Sequence, residues 1–233
     1  MIDSTADRTA LVIGASRGLG SALAAELVRR GWRVVATVRG AGRTELHGVA
    51  DRSDGRLTVE QVDITEPEQV AALHERVAGT AFDLVFVNAG ITEGSLDVSQ
   101  VSTEAFVQVM VTNALSPMRV VEAFQDLVPP TGTIGIMSSR QGSVSLNEQG
   151  GFEVYRASKS ALNQLMRSFA ARHRDDPRTL LLIAPGWVRT ELGGPGAALS
   201  IDESIPGVVD TIENRAGAGG LHFLSYQDQV VPW

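Results

Sequence analysis

The stretch Thr9-Ala10-Leu11-Val12-Ile13-Gly14-Ala15-Ser16-Arg17-Gly18-Leu19-Gly20 decides how the rest of the chain is read. After Thr9 come four apolar residues without alternation, as in a strand covered on both faces. Three glycines follow in the spacing G-x-x-x-G-x-G, and an amphipathic segment starts at Gly18. A strand, a glycine turn and a helix in this order bring backbone N–H groups close to a pyrophosphate at the helix N-terminus, where the dipole favours negative charge. Gly14, Ser16, Arg17, Gly18, Leu19 and Gly20 are therefore candidate nucleotide contacts. The spacing is not the general G-x-G-x-x-G, and a glycine turn can also serve only to pack a helix on a strand.

Outward from this turn, short β-branched runs alternate with longer amphipathic segments. Strands are expected at Thr9–Ile13, Arg33–Val38, Leu57–Gln61, Leu84–Asn88, Thr133–Met137, Thr179–Ile183 and Leu221–Leu224. Helices are expected at Gly18–Arg30, Pro67–Ala78, Thr103–Leu127, Tyr155–His173 and Asp202–Asn214. Thr65 with Glu68 reads as a capping box ahead of Pro67, and Ser102 reads as a second cap. The alternation predicts an α/β fold over residues 1–233: a single-domain, Rossmann-like, doubly wound parallel sheet of seven strands with helices on both faces.

Composition narrows the function. With 20 basic and 27 acidic residues, the net charge of −7 argues against a chain that coats nucleic acid or anionic membrane. The absence of Cys excludes disulfides, thiolate zinc sites and cysteine nucleophiles. No apolar run reaches membrane-spanning length, and Met1–Asp7 lacks the pattern of a signal peptide, so a cytoplasmic location is expected. Of the 20 basic residues 19 are Arg, and the one lysine is Lys159.

Lys159 follows Tyr155 by four residues, on one face of an expected helix. A free phenol titrates near pH ~10 and is a reluctant proton donor or acceptor at neutral pH. An adjacent ammonium stabilises the phenolate, lowers that pKa and suits the pair to acid–base chemistry. A surface Tyr–Lys pair is the plain alternative. The second strand closes on Val38-Arg39 without the acidic residue that binds both ribose hydroxyls of NAD. Arg17 and Arg39 could instead fork onto a 2′-phosphate, or both could be solvated surface arginines.

The glycine turn, Asn88-Ala89-Gly90, Ser138-Ser139, Tyr155-x-x-x-Lys159 and Pro185-Gly186 stand in the order of the short-chain dehydrogenase/reductase family, which the whole chain resembles. Ser139 to Asn147, Gly193-Gly194-Pro195 and Val231-Pro232-Trp233 resemble its C-factor and sniffer-like carbonyl reductase branch. The resemblance implies that Tyr155 protonates a carbonyl oxygen, that Lys159 lowers the Tyr155 pKa and holds the nicotinamide ribose, and that Ser139 orients the reacting oxygen. Ser139 precedes Tyr155 by 16 residues where 13 is usual, which leaves Ser138 and Ser143 as competitors. Asn113 would hold a water linking Lys159 to solvent. Asp63 would bind the adenine amino group with Ile64 beside it. Asn88, Ala89 and Gly90 would line the adenosine ribose, and Pro185, Gly186, Val188 and Thr190 the nicotinamide end.

The implied cofactor is NADP(H), with NAD(H) as the alternative. The implied partner is a small hydrophobic carbonyl or alcohol, with Val144, Leu146, Phe152, Trp187, Leu192 and Leu199 as expected lining and Trp187–Ile201 as a mobile lid. Neither nucleic acid nor membrane is an expected partner; a homodimer or homotetramer paired through Thr103–Leu127 and Tyr155–His173 is. The four histidines lack metal-ligand spacing, so no metal is expected. A nucleotide-binding sensor or C-factor-like signalling protein on the same fold is the rival reading, against which the Asn113, Ser139, Tyr155 and Lys159 set argues.

Overall fold

The computed structural model describes residues 8–233; Met1–Asp7, on which the signal-peptide reading rests, lie outside them. Seven parallel strands form one sheet in the order β3-β2-β1-β4-β5-β6-β7. They are β1 Thr9–Ile13, β2 Arg33–Val38, β3 Leu57–Gln61, β4 Leu84–Val87, β5 Thr133–Met137, β6 Thr179–Ala184 and β7 Gly220–Ser225. Strands β4, β5 and β6 are buried along their whole length, which is why their sequences run apolar without alternation.

Helices cover both faces. They are α1 Gly18–Arg29, α2 Glu45–Ala50, α3 Pro67–Val77, α4 Thr103–Met110, α5 Ser116–Phe124, α6 Glu153–Arg172 and α7 Ile201–Asn214. One face buries Leu73, Phe82, Phe124, Leu162, Met166 and Phe169; the other buries Leu23, Leu27, Trp32, Phe86, Val208 and Ile212. The arrangement is the Rossmann-like sheet expected from the alternation. Its strand order reverses between β1 and β4, and a crevice for ligands opens at such a point beyond the strands' carboxyl ends.

Three local expectations are corrected. The segment Thr103–Leu127 is not one α-helix: a wide turn over Val111–Leu115 separates α4 from α5, with Ser116 N–H reaching back to the Val111 carbonyl. Pro117, which has no N–H to offer the Asn113 carbonyl four residues back, explains the local widening. Thr65 does not cap α3, because its hydroxyl donates to Asp63 Oδ1 at 2.7 Å and the cap position falls to Glu66 without a side-chain bond. The short helix α2 was not anticipated; six residues with a central Gly48 carry little periodicity. Ser102 does cap α4, its Oγ accepting from Ala105 N–H at 3.1 Å.

Candidate active site

The glycine turn is fixed from beneath by two side chains. Thr37 Oγ1 on β2 accepts from Gly14 N–H at 3.0 Å, and Asn88 Nδ2 after β4 donates to the Gly14 carbonyl at 3.0 Å. A Cβ on Gly20 would lie 2.1 Å from that carbonyl oxygen, so only glycine lets α1 start so close to β1. Gly14 itself has φ of 85°, a conformation glycine adopts without strain. Thr37 was not singled out in the sequence; a polar residue inside an otherwise apolar run, between Ala36 and Val38, was the available signal.

The first turn of α1 has no acidic residue and no side-chain cap, leaving its N–H groups aimed beyond the strand ends. This cradle fits the pyrophosphate of a dinucleotide. Ser16 and Leu19 flank it half-buried. Two carboxylates border it: Glu45 Oε2 accepts from Gly18 N–H at 3.3 Å, and Glu191 pairs with Arg17 at 2.7 Å. Arg17 is therefore engaged by an acid from the segment after β6, while the side chain of Arg39 is exposed.

Asp63, half-buried after β3, accepts from both the N–H and the hydroxyl of Thr65, and Ile64 beside it is buried in the core. Ala89 and Gly90 are half-buried at the end of β4. Pro185 and Gly186 follow β6, with the Pro185 carbonyl accepting from Ser204 Oγ at 2.6 Å. Val188 is buried, and Thr190 approaches Gly18 across the crevice.

At the centre, the Ser139 side chain approaches the Tyr155 hydroxyl. Lys159 is 3% exposed, donates from Nζ to the Met137 carbonyl at 3.0 Å and lies 5.9 Å from the Tyr155 ring centroid. Lys159 Nζ and Asn113 Oδ1 both approach Gly90, where an added Cβ would lie 3.5 and 3.7 Å from them. Asn113 is committed on every side: Oδ1 accepts from Ile91 N–H at 2.8 Å, while Nδ2 donates to the Ile91 carbonyl at 2.8 Å and to Ser158 Oγ at 2.9 Å. Ser158 Oγ in turn donates to the Tyr155 carbonyl at 2.7 Å, linking Asn113 to the helix that carries the tyrosine.

Electrostatics differ from the expectation. Burial pushes Tyr155 up to about 12, partly opposed by the Ser139 bond, and pushes Lys159 down to about 8. The Tyr155 side chain keeps some accessible surface, but the protein packed round its hydroxyl outweighs that opening. The Lys159 ammonium, 5.9 Å from the phenol ring centroid and bonded to the Met137 carbonyl, does not offset that burial.

The competing serines are both occupied. Ser138 Oγ donates to Asn163 Oδ1 at 2.6 Å, and Ser143 Oγ bonds Ser145 Oγ at 3.2 Å. The expected apolar lining is corrected at Val144, which turns away to a separate cavity beside Arg167 and Trp233. Trp187 and Leu192 are exposed, Phe152 lies at the entry to α6, and Leu199 packs on Gly186.

Residues 8–197 match the family model for short chain dehydrogenases. Across 97% of this chain and 99% of its own length, the 1-hydroxy-2-glutathionyl-2-methyl-3-butene dehydrogenase of Rhodococcus sp. strain AD45 is 32% identical. The C-signal protein of Myxococcus xanthus is also 32% identical, over 65% of this chain and 92% of its own. A Burkholderia multivorans structure described as a short-chain dehydrogenase/reductase with bound NADP superimposes with a TM-score of 0.96 at 57% identity, covering 97% of this chain and 100% of that one. A Pseudomonas aeruginosa carbonyl reductase in complex with NADP gives a TM-score of 0.90 at 36% identity, covering 98% and 100%.

Proposed function

The chain belongs to the short-chain dehydrogenase family, and from that premise we propose that it is an NADP(H)-dependent carbonyl reductase, or an alcohol dehydrogenase in the reverse direction. The observation that carries the reading is the meeting of Ser139, Tyr155, Lys159 and Asn113 beside the glycine turn. The NADP bound in the Burkholderia multivorans and Pseudomonas aeruginosa structures supports the choice of cofactor. When bound, NADPH supplies the hydride; the protein supplies orientation and proton transfer.

Gly14, Ser16, Gly18, Leu19 and Gly20 hold the pyrophosphate side, Arg17 and Arg39 the 2′-phosphate, Asp63 and Ile64 the adenine, and Asn88, Ala89 and Gly90 the ribose. Pro185, Gly186, Val188 and Thr190 hold the nicotinamide end. Tyr155, whose burial keeps the phenol protonated at neutral pH, donates that proton to the carbonyl oxygen. Ser139, beside the phenol, holds the same oxygen. An ammonium has three donors and Lys159 spends one on Met137, which leaves two for ribose hydroxyls and the relay towards Asn113.

The substrate is a small hydrophobic carbonyl compound, met by Leu146, Phe152, Trp187, Leu192 and Leu199. Residues 1–233 act as one domain, in the cytoplasm. Among the described residues no helix is long and apolar enough to cross a membrane. Exposed Phe106 and Val107 on α4, Leu115 after it and Leu165 on α6 support pairing of subunits through these helices. The deciding experiment is a panel of carbonyl compounds with NADPH and NADH, followed at the nicotinamide absorbance. Oxidation of NADPH with at least one carbonyl is expected. Tight NADPH binding without turnover on any compound would favour the sensor reading.

A further inference from the structure

Two stretches that mark the branch in the sequence, Ser139 to Asn147 and Val231-Pro232-Trp233, meet in the fold, although Ser145 and Trp233 are 88 residues apart. After β7 the chain turns at Asp228 and runs back along the strand, with Ser225 N–H on the Gln229 carbonyl at 2.8 Å and Val231 N–H on the Phe223 carbonyl at 2.9 Å. Arg215 holds the turn through Asp228 at 2.7 Å. This return delivers Trp233 to the loop that follows β5. The Trp233 main-chain oxygen accepts from Ser145 Oγ at 2.7 Å and from Ser145 N–H at 3.2 Å. Its ring lies between Phe223, at 5.5 Å between centroids, and the Arg167 guanidinium, at 4.8 Å.

We propose that Trp233 is a positioning residue for the reaction, holding the far end of the loop that begins with Ser139. The inner end of that loop is tied to α6, since the Gly142 carbonyl accepts from Ser160 Oγ at 3.0 Å and Asn163 Nδ2 at 3.1 Å. Beyond Gly142, Val144 is 72% exposed and lines a cavity of about 260 Å³ shared with Arg167 and Trp233. The outer half is held by Leu146, which packs against the core, and by Ser145. From there the tie runs back through Ser143, whose Oγ meets Ser145 Oγ and accepts from Leu146 N–H at 3.3 Å. Ser143 N–H closes the chain on the Arg140 carbonyl at 3.1 Å, within the short turn that Ser139 caps. Trp233 thus acts on Ser139 through Ser145 and Ser143, and touches neither cofactor nor substrate.

The inference rests on the reductase reading, so its test has a readout that does not need turnover. Amide hydrogen exchange of residues 139–148 is measured in the wild type, Trp233→Ala, Trp233→Phe and Ser145→Ala, together with kcat, KM and the NADPH dissociation constant. Trp233→Ala keeps the main-chain oxygen but removes the ring that seats it between Phe223 and Arg167; the loosened tie should speed exchange in this segment, and lower kcat, by about tenfold, with NADPH binding changed by less than about twofold. Trp233→Phe keeps an aromatic ring between Phe223 and Arg167 and should restore most of both; Ser145→Ala should fall between. Unchanged exchange at 139–148 overturns the proposal. So does exchange that rises throughout the molecule with a parallel loss of NADPH binding, the mark of general destabilisation. If the wild type reduces no carbonyl, the reductase reading fails, and the exchange measurement still decides whether Trp233 holds the loop.

Discussion

Lys159 sits 5.9 Å from the Tyr155 ring centroid yet donates its hydrogen bond to the Met137 carbonyl at 3.0 Å. One lysine buried beside a phenol, with no carboxylate paired to it among the described residues, is an unfavourable arrangement for folding. Its cost is visible in the direction of both titrations: the phenol is held protonated and the ammonium is easier to deprotonate.

Removing the acid should stop the chemistry without disturbing the cofactor. Tyr155→Phe is expected to lower kcat by at least about 10²-fold, the usual share of a positioned proton donor. NADPH affinity, read by fluorescence titration, should stay within about threefold, because the glycine turn is untouched. Retained turnover would exclude Tyr155 as the donor.

Removing the lysine should stabilise the apoprotein. Lys159 is lowered from 10.5 to about 8 in the folded chain, so the unfolded chain binds more protons between those values and stability rises with pH across them. Lys159→Met should therefore raise stability at pH 7 by up to about 3 kcal/mol, and the gain should fade between pH ~8 and ~10.5. Turnover should be lost. Chemical denaturation at several pH values checks the sign, and a variant less stable than the wild type at pH 7 contradicts it.

Arg17 cannot serve Glu191 and a phosphate equally well. Arg17→Ala and Arg39→Ala should each weaken NADPH relative to NADH by about tenfold, as expected for a charge-assisted bond to phosphate. Glu191→Gln frees Arg17 and should tighten NADPH by up to about fivefold at low salt, an exposed ion pair being worth at most about 1 kcal/mol. Equal affinities for NADPH and NADH in the wild type would remove the 2′-phosphate role from both arginines.

Thr37→Val keeps the shape of a buried side chain and deletes the acceptor of Gly14 N–H. Leaving that donor unsatisfied should cost about 1–3 kcal/mol. Thermal unfolding should register the loss, and NADPH should bind more weakly through a loosened turn. No change in either would mean that Gly14 N–H finds another partner.

Charging the exposed α4 and α6 face tests the proposed pairing of subunits. Val107→Glu with Leu165→Glu is expected to convert a dimer or tetramer to a monomer in analytical ultracentrifugation. A wild type that is monomeric at high concentration would discard this face as the interface.

Much of the architecture was legible from local pattern. The seven strands were placed to within one residue at their ends because buried parallel strands leave continuous apolar runs. Helix α2 and the wide turn at Val111–Leu115 were not legible: the first is too short to show a period, and the second depends on how a chain with Pro117 accommodates the buried Asn113. The capping box at Thr65 looked sound in spacing but lost its hydroxyl to Asp63, a competition that a three-residue pattern does not record.

By itself, the sequence determined the sheet, the glycine turn and the pairing of Tyr155 with Lys159, all set by spacings of a few residues within one element. Tertiary structure alone decided which serine meets the tyrosine, because Ser138 is claimed by Asn163 and Ser143 by Ser145. It also took the Asn113 amide away from water, turned Val144 out of the expected pocket and brought Trp233 to Ser145. Apart from the local Ser143–Ser145 bond, these hydrogen bonds join groups 22 to 88 residues apart, which meet only once the strand order has placed them together.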